Sequence, residues 1–488
     1  MKLLDNNGGA YTIIGGFIFA DIYMTTKSFF QNWFVDSCKN SFFPVNYIVG
    51  NVNSEYHEYN NYYFNGSSGH GLLSIEEFNQ VNFHNTVIDN FDALAAFSVY
   101  TIRVHNITLN NVTIINNDNS GSGTDAIFHL FTHDQSHIEV NDFRVVDSNL
   151  GFRSAFYYFP VDNGYLSFMN SSFTNVTLNT GANLIQTETL LELKVENITF
   201  DDVKQVSTSD TSNAMLKFGT LNTTTTGSFS VSDITAQQST VPLFDMASLI
   251  VTSNSSKSIT LSNIKYIDSV FDFPQDLIIF GNIETNSDFE MIIEEVMMYN
   301  LTFNRFGKLF RLGHQTAVPL KISNCQFNDI YGSSVYLESA NRENLSSKTL
   351  VEMTNITAYD ISGGTNSFFV NKEGGHLTVR DSTFKSIENF ENGAVINGNF
   401  QNSESMFYNC TFTNNTAYYG AVANAQDGSV IKFYDSVISN NFAIQAGAVQ
   451  SATEGYFEMY NCDVYNNYAL SLPVAEIFIV SKVSVIDS

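Results

Sequence analysis

The chain is poor in proline and cysteine. Only 6 of its 488 residues are proline and only 4 are cysteine. So few prolines exclude a proline-rich linker, and four cysteines in a chain of this length do not make the disulfide framework of a small secreted domain. The cysteine count therefore leaves the redox compartment open.

Basic residues and long apolar runs are also scarce. The 22 basic residues face 49 acidic ones, which gives a formal net charge of -27, and such a surface repels phosphate backbones and anionic lipids. The longest apolar run near the N-terminus, IIGGFIFA at 13–20, is much shorter than the roughly 18 residues of a spanning helix. We therefore expect no nucleic-acid partner and no membrane-spanning segment.

What the chain does contain is a repeat. Hydrophobic residues make up 43% of it and aromatic residues 14%, so it has enough apolar material to fold. The stretches NCTFTNN, DSVISNN and NCDVYNN begin at 409, 435 and 461, which are 26 residues apart. Similar stretches begin with Asn or Asp at 381, 355, 324, 300, 263, 233, 197, 170, 142, 106 and 85. A fixed period of this length predicts a repeat architecture.

Each unit resembles a short series of strands joined by polar turns. In VIKFY, at 430–434, Val430, Lys432 and Tyr434 alternate with Ile431 and Phe433, which is typical of a strand with one buried face. Three short strands per unit pair most simply with the same strands of the next unit. The sequence thus predicts an all-β parallel solenoid of about 14 or more coils, with Asn-rich corners and with Ser- and Thr-rich loop insertions at 207–213 and 222–228.

Asparagine suits the corners because it tolerates left-handed backbone geometry. A corner amide can also bond to the amide of the next coil, as in stacked asparagine ladders. We expect such a structural ladder at Asn414, Asn415, Asn440, Asn441, Asn466 and Asn467.

The repeat divides the chain into two predicted parts. Residues 81–488 form the solenoid up to the end of the chain, and residues 1–80 form irregular N-terminal coils or a cap. The sequence opens and closes in the middle of a repeat, which predicts either further repeats of a longer chain or copies of the protein stacked end to end.

The segments NGAVI at 392, YGAVA at 419, AGAVQ at 446 and GGAY at 8, with the Phe-x-x-Asn of Phe412 to Asn415, resemble the repeats of polymorphic outer-membrane-type surface proteins. More broadly the chain is similar to the pectin-lyase-like group, which includes large surface proteins of ciliates and other protists. The resemblance implies a right-handed parallel β-helix and an extracellular or cell-surface location.

Some proteins of this fold cleave polysaccharides, and two motifs invite that comparison. SGHG at 68–71 resembles one motif of polygalacturonases, and Asp201 with Asp202 resembles their paired aspartates. In that family the aspartates precede the Gly-His-Gly, whereas here they follow it. We expect no catalytic residues and no enzyme.

Histidines and cysteines suggest no metal site or cofactor. His129, His133 and His137 would share a face only on a helix, and the repeat places them on strands and turns. Cys410 and Cys462 occupy the same coil position with Ser436 between them. They are expected to stack as structural residues, as is Cys325.

Asn-x-Ser/Thr sequons are numerous, and in a secreted eukaryotic protein they are candidate glycan acceptors. They lie at Asn65, Asn106, Asn111, Asn170, Asn175, Asn197, Asn222, Asn254, Asn300, Asn344, Asn355, Asn409 and Asn414.

These features favour a non-enzymatic extracellular solenoid that serves as a cell-surface or matrix stalk. It could form a head-to-tail filament and carry N-glycans. A carbohydrate-binding or adhesion module is the alternative, because the tyrosines of residues 53–71 could stack on sugars, although a packed N-terminal segment is the other interpretation of that stretch. A polysaccharide lyase or hydrolase is a third alternative.

Overall fold

The structure is a computed structural model of the whole chain. It describes residues 10–14, 17–21, 27–36, 39–49, 55–65, 68–90, 92–93, 99–118, 126–152, 154–161, 164–179, 181–188, 190–206, 213–223, 228–251, 258–272, 274–284, 290–315, 319–337, 349–362, 364, 366–372, 374–399, 402–445, 447–451, 454–471, 475–477 and 482–486.

The described residues form an all-β structure. They contain no α-helix, and so none that could span a membrane. The chain divides into two units, Met1–Asp245 and Met246–Ser488. Each unit is a parallel β-solenoid, as the repeat predicts, and the number of described coils is close to the predicted 14 or more.

Seventeen strands begin in the first unit, and the last of them spans the division between the units. They are β1 (Ala10–Ile14), β2 (Phe17–Asp21), β3 (Lys27–Asp36), β4 (Lys39–Val49), β5 (Tyr56–Asn65), β6 (Ser68–Glu76), β7 (Gln80–Asp89), β8 (Asp92–Ala93), β9 (Val99–Ile115), β10 (Ala126–Gly151), β11 (Ser154–Pro160), β12 (Gly164–Leu178), β13 (Ile185–Thr187), β14 (Leu190–Gln205), β15 (Leu216–Thr223), β16 (Phe229–Gln237) and β17 (Phe244–Val251).

The remaining strands belong to the second unit. They are β18 (Ser258–Phe271), β19 (Asp276–Glu284), β20 (Glu290–Gln315), β21 (Leu320–Leu337), β22 (Thr349–Ser362), β23 (Phe369–Asn371), β24 (Gly375–Arg380), β25 (Thr383–Asn392), β26 (Ile396–Gly398), β27 (Glu404–Tyr408), β28 (Thr411–Thr413), β29 (Thr416–Tyr419), β30 (Ala423–Ala425), β31 (Val430–Tyr434), β32 (Val437–Ser439), β33 (Phe442–Gln445), β34 (Val449–Ser451), β35 (Tyr456–Tyr460), β36 (Asp463–Tyr465), β37 (Tyr468–Ser471), β38 (Ala475–Ile477) and β39 (Lys482–Ile486).

A regular coil has four strands, not the three expected from the sequence. In one such coil these are β31, β32, β33 and β34, and each pairs in parallel with its equivalent in the next coil, β35, β36, β37 and β38. The fourth strand was missed because VIKFYDSVIS bends at Asp435 without any Gly or Pro to mark the turn.

The core follows the predicted alternation. In β31 the side chains of Ile431 and Phe433 are buried and those of the residues between them are partly exposed. Phe433 stacks on Phe407 of the preceding coil with ring centroids 5.3 Å apart. Each coil thus adds a layer of apolar side chains at the same position as the layer below.

From Asn85 onwards, two of the corners of each described coil lie five residues apart. At both corners a non-glycine residue takes the left-handed conformation, with φ between 48 and 59°. The first-corner column of the first unit is Asn32, Asn61, Asn85, Asn111, Asp142, Asn170, Asn197 and Asp233, and that of the second unit is Asn263, Glu295, Asn324, Asn355, Asp381, Asn409, Asp435 and Asn461. The second-corner columns are Asn90, Asn116, Asp147, Asn175, Asp202 and Gln238, and then Asp268, Asn300, Asp329, Asp360, Ser386, Asn414, Asn440 and Asn466.

Two of the fourteen repeat positions identified from the sequence are out of register with the first corner. Asn106 pairs with His137 within a strand, and the first corner of its coil is Asn111. Asn300 occupies a second corner, and the first corner of its coil is Glu295. Glutamate at a left-handed corner breaks the Asn/Asp pattern on which the search relied.

The first 80 residues contain both parallel and antiparallel pairing. Strands β1 and β2 pair antiparallel, whereas β3 pairs in parallel with β5 and β5 with β7. Asn32 and Asn61 stand in the first-corner column. The division at residue 80 stays a prediction.

Candidate functional site: corner ladders and an acidic groove

The exposed first-corner side chains bond from coil to coil. In the first unit the amide nitrogens of Asn61, Asn85 and Asn111 donate to the Oδ1 atom of the preceding corner, Asn32, Asn61 and Asn85, at 2.9, 3.0 and 2.8 Å. An amide both donates and accepts, so it can continue such a column. These columns fix the stacking of the coils at the solvent-facing corner.

Late in the second unit the first corner alternates acid and amide. Asn409 donates to Asp381, and Asn461 donates to Asp435, each over 2.6 Å. Because an amide stands between successive carboxylates, each carboxylate gains a donor and like charges are kept two coils apart. Much of the acidity of this column is therefore used to bind coils together.

The six predicted ladder asparagines fall into two sets. Asn414, Asn440 and Asn466 take the left-handed conformation at the second corner. The residue after each of them, Asn415, Asn441 and Asn467, forms the inner ladder: Asn415 Nδ2 donates to Asn441 Oδ1 over 3.0 Å, and Asn441 Nδ2 to Asn467 Oδ1 over 2.8 Å.

Backbone bonds complete this inner ladder. The backbone N–H of Asn415 donates to Asn441 Oδ1, and Asn441 Nδ2 donates to the carbonyl of Phe412. Asn415 and Asn441 are both buried, so their amides satisfy backbone groups that a tight turn would otherwise leave without partners. This arrangement is structural and places no reactive group at the surface.

The asparagines of the sequons differ in whether their side-chain Nδ2 already donates a hydrogen bond. Seven of them donate through Nδ2 to the neighbouring coil at 2.6–2.8 Å: Asn111, Asn170, Asn175, Asn197, Asn300, Asn355 and Asn409. Asn106 and Asn414 are exposed and make no such bond with any described residue, and Asn65 is half-buried. Asn254, Asn344 and the side chain of Asn222 lie outside the described residues.

The histidines of the predicted series lie in different columns. His129 lies between Tyr100 and Tyr157, at 5.2 and 5.0 Å between ring centroids, and His137 stacks on Tyr165 at 4.2 Å. The side chain of His133 lies outside the described part. Among the described residues there is no group of three or more His, Cys, Asp or Glu side chains that could hold a metal ion.

The two motifs that resemble a polysaccharide-cleaving site lie on different strands. SGHG at 68–71 belongs to β6, which pairs with β4 and β8, and its side chains lie outside the described set. Asp202 is a second-corner residue whose carboxylate lies 2.6 Å from Lys204. Asp201 stands in a strand that pairs with β12 and β16.

The tyrosines of residues 53–71 divide between core and surface. Tyr59 and Tyr62 are fully buried, and burial raises the pKa of Tyr59 well above its ordinary value. Tyr63 is partly exposed, but its hydroxyl donates to Asp89 over 2.7 Å and its ring stacks on Phe34 at 5.2 Å. These described tyrosines pack within their own coils, and the carbohydrate-binding interpretation of the stretch stays a prediction.

The three described cysteines, Cys325, Cys410 and Cys462, are buried. Cys410 Sγ donates to the carbonyl two residues back over 3.3 Å, and Ser436 Oγ makes the same bond over 2.8 Å in the next coil. Burial raises the pKa of Cys325 and Cys410 to about 12. A thiol with so high a pKa is no nucleophile, so in these positions cysteine acts as serine does.

A row of tyrosines stands on the outer surface of the second unit. Tyr408, Tyr434 and Tyr460 stack at 4.6 and 5.0 Å with their planes within 7° of parallel. The Arg380 guanidinium covers the free face of Tyr408 at 4.2 Å, and Tyr460 pairs with Ile486 of the next coil. Since a sugar stacks on an uncovered ring face, this row is better suited to binding coils together than to binding sugars.

An open groove of about 410 Å³ lies elsewhere on the second unit. Asp329, Asp360, Glu388 and Tyr331 line it, and Tyr331 is 48% exposed. Asp329 and Asp360 are consecutive members of the second-corner column, the one place in the described corner columns of this unit where two carboxylates follow each other. Sequence reasoning missed this groove because its residues are some 30 positions apart along the chain.

Comparison with family models, with curated proteins and with solved structures gives no match for this chain.

Proposed function

We propose that this protein is a non-enzymatic structural solenoid of the cell surface or extracellular matrix, a stalk of the kind found among β-helix surface proteins. Copies would stack end to end, or further repeats of a longer chain would extend it.

The proposal rests on the contacts of the polar side chains, many of which join successive coils. Corner amides, corner carboxylates, buried serines and the tyrosine row all bond or stack between successive coils. A protein that devotes its chemistry to holding layers together is suited to a mechanical or spacing role.

N-glycans are part of the proposal, and the ladders favour particular acceptors. A glycan replaces one hydrogen of the asparagine Nδ2 and needs space beside it. Asn106 and Asn414 are therefore the expected sites, and the seven sequons in the ladders are expected to stay largely unmodified.

Secretion of the chain from a glycosylating eukaryotic host tests this role. The purified protein would be weighed intact before and after enzymatic deglycosylation, mapped by peptide, and examined by electron microscopy. We expect elongated particles and sugar on Asn106 and Asn414. Globular particles together with an unmodified mass would overturn the proposal.

The acidic groove supports a second candidate, a carbohydrate site that binds or cleaves a polymer. Hydrolysis of a glycosidic bond uses two carboxyl groups, and the groove places Asp329, Asp360 and Glu388 beside an exposed tyrosine.

A panel of neutral and uronic-acid polymers, together with a glycan array, separates the two functions. The stalk predicts neither turnover nor binding. A groove enzyme predicts turnover that Asp329→Asn and Asp360→Asn each abolish while Asp381→Asn, at a corner outside the groove, leaves it intact. Binding without turnover, lost in Tyr331→Ala, would instead indicate an adhesion module.

A further inference from the structure

In the last coils of the second unit, one strand buries small residues and exposes large apolar ones. In β29, β33 and β37 the buried position holds Ala417, Ala443 and Ala469. The outward positions of the same strands hold Tyr418, Phe442, Ile444, Tyr468 and Leu470, which are between 36 and 67% exposed. Large apolar side chains thus face solvent where a solenoid strand normally presents polar ones.

The equivalent strand of the first unit keeps the normal arrangement. There the outward column contains Asn149, Thr177 and Lys204, which pair with one another from coil to coil. Val206, Val270 and Tyr331 are exposed apolar residues at the corresponding positions of earlier coils, but they stand singly. In the described residues only the last coils place exposed apolar side chains one above the other, from Phe390 through Tyr418 and Ile444 to Leu470.

We define the apolar face as Phe390, Tyr418, Phe442, Ile444, Tyr468 and Leu470. Phe390 is 65% exposed and comes from β25, the strand that pairs with β29. Phe442 and Tyr468 stack at 5.7 Å. With about 200 Å² for a fully exposed aromatic side chain, the face exposes roughly 600 Å². That is at the upper end of the patches found on soluble monomers.

The charge of the chain decides what can cover this face. Strands β29, β33 and β37 contain no charged residue, whereas the chain as a whole carries a net charge of -27. A basic partner would be drawn to the acidic surface elsewhere and would find carboxylates only at one edge of this face, where Glu388 and Glu391 flank Phe390. A second copy, which is equally acidic, can approach closely only through an uncharged surface.

The size and composition of the face fit that occupant. Two such faces would bury about 1,200 Å², the lower limit of specific interfaces, and four of the six residues are aromatic, as is typical of interface centres. We propose that two copies of this chain pair side by side, apolar face against apolar face, in a weak symmetric dimer. This lateral contact is independent of the end-to-end stacking proposed above.

Sedimentation velocity over a wide range of concentration tests the pairing. A two-fold contact closes at the dimer, whereas end-to-end stacking continues to larger species. We expect a monomer–dimer equilibrium that strengthens with added salt, because salt screens the repulsion between acidic copies.

Charge placed on the face should abolish the dimer. Ile444→Asp brings two carboxylates together at the centre of the contact and should weaken association by more than about a hundredfold. Leu470→Asp at its edge should weaken it less. Phe34→Asp is the matched control, since Phe34 is 66% exposed in the first unit, and it should leave association unchanged.

Circular dichroism and thermal unfolding establish that each variant is folded. A wild-type protein that is monomeric at every concentration would overturn the proposal and leave the face to a different partner. So would a dimer that Ile444→Asp leaves intact, a dimer lost in Phe34→Asp, or an open series of oligomers whose association Ile444→Asp does not weaken.

Discussion

The early coils of the first unit and the last coils of the second both stack aromatic rings in the core, but the last coils add a ladder of buried amides. In the early coils aromatic rings stack in the core, as in Tyr59 on Phe83 at 5.0 Å and Trp33 beside Tyr62 at 5.9 Å. In the last coils the buried amides of Asn415 and Asn441 bond across successive layers.

Coil length follows this difference. Bonded corner residues of the first unit are 29, 24, 26 and 27 positions apart, whereas the inner ladder and the neighbouring corner bond keep a separation of 26. Both sets of separations belong to amide bonds between coils, so an amide bond at a corner does not by itself fix the number of residues in a coil. The strict separation coincides with the buried ladder, where the amide of Asn441 also bonds to backbone groups of the preceding coil.

The largest expected difference between the two regions is in their stability at low pH. His57 is buried against Phe30, Tyr59 and Phe78, and burial lowers its pKa to about 3. The unfolded chain, whose histidine titrates near 6.5, takes up this proton first. Stability of the early coils should thus fall as pH drops from 6.5 towards 3, by about 1.4 kcal/mol per pH unit.

Trp33, the single tryptophan of the chain, reports on these coils by its fluorescence during urea unfolding. His57→Phe should remove this part of the acid sensitivity, and His137→Phe, an exposed position on a later coil, should retain it. Equal acid sensitivity in wild type and His57→Phe would contradict the assignment.

Loss of one buried ladder amide tests the last coils. Asn441→Ala leaves the backbone N–H of Asn415 and the carbonyl of Phe412 without these partners, and should lower the free energy of unfolding by about 3 kcal/mol. Amide exchange at Asn415 should accelerate accordingly.

The neighbouring corner provides the control for that experiment. Asn440→Gly keeps the left-handed backbone and removes an exposed side chain, so its effect should be a few tenths of a kcal/mol. If both variants were equally stable, the buried ladder would not be what binds these coils.

Placing alanine at a left-handed corner should lower the free energy of unfolding by the same amount in both regions. Asn461→Ala and Asn85→Ala each place a Cβ-bearing residue without a side-chain amide at positive φ, and each should lose about 1 kcal/mol more than the matching glycine variant. Thermal unfolding of the four proteins measures the difference. A penalty in only one region would show that the two sets of corners differ in more than sequence.

Cysteine replacement should have the smallest effect. Cys410→Ser keeps the bond to the carbonyl of Tyr408 and matches Ser436 of the next coil, so stability should change by less than about 0.5 kcal/mol. Cys410→Val removes the donor and should cost about 1 kcal/mol. Urea midpoints that rank the two variants in the opposite order would show that packing, not the hydrogen bond, sets the preference at this position.

Much of the architecture was predictable from particular residues. The alternation of Ile431 and Phe433 with outward residues indicated a strand, and the recurrence of Asn409, Asp435 and Asn461 indicated the corner. Both patterns are local and recur from coil to coil, so they can be recognised even though other positions of the repeat vary.

The second corner was predicted only where asparagine recurs, at Asn414, Asn440 and Asn466. Elsewhere Ser386 or Gln238 can occupy it once neighbouring coils hold its backbone, and the groove was not predictable because its residues are far apart along the chain.

The sequence by itself determined that the chain stacks equivalent layers, because backbone pairing and apolar alternation repeat with its period. Only the tertiary structure decided which of two adjacent asparagines faces the core. At Asn414 the left-handed corner turns the side chain outward, and the next residue, Asn415, must then point inward. The same holds for β29, β33 and β37, where alanine is buried and leucine, isoleucine and aromatic residues are exposed. This arrangement depends on the direction in which each strand leaves its corner, which no local sequence pattern specifies.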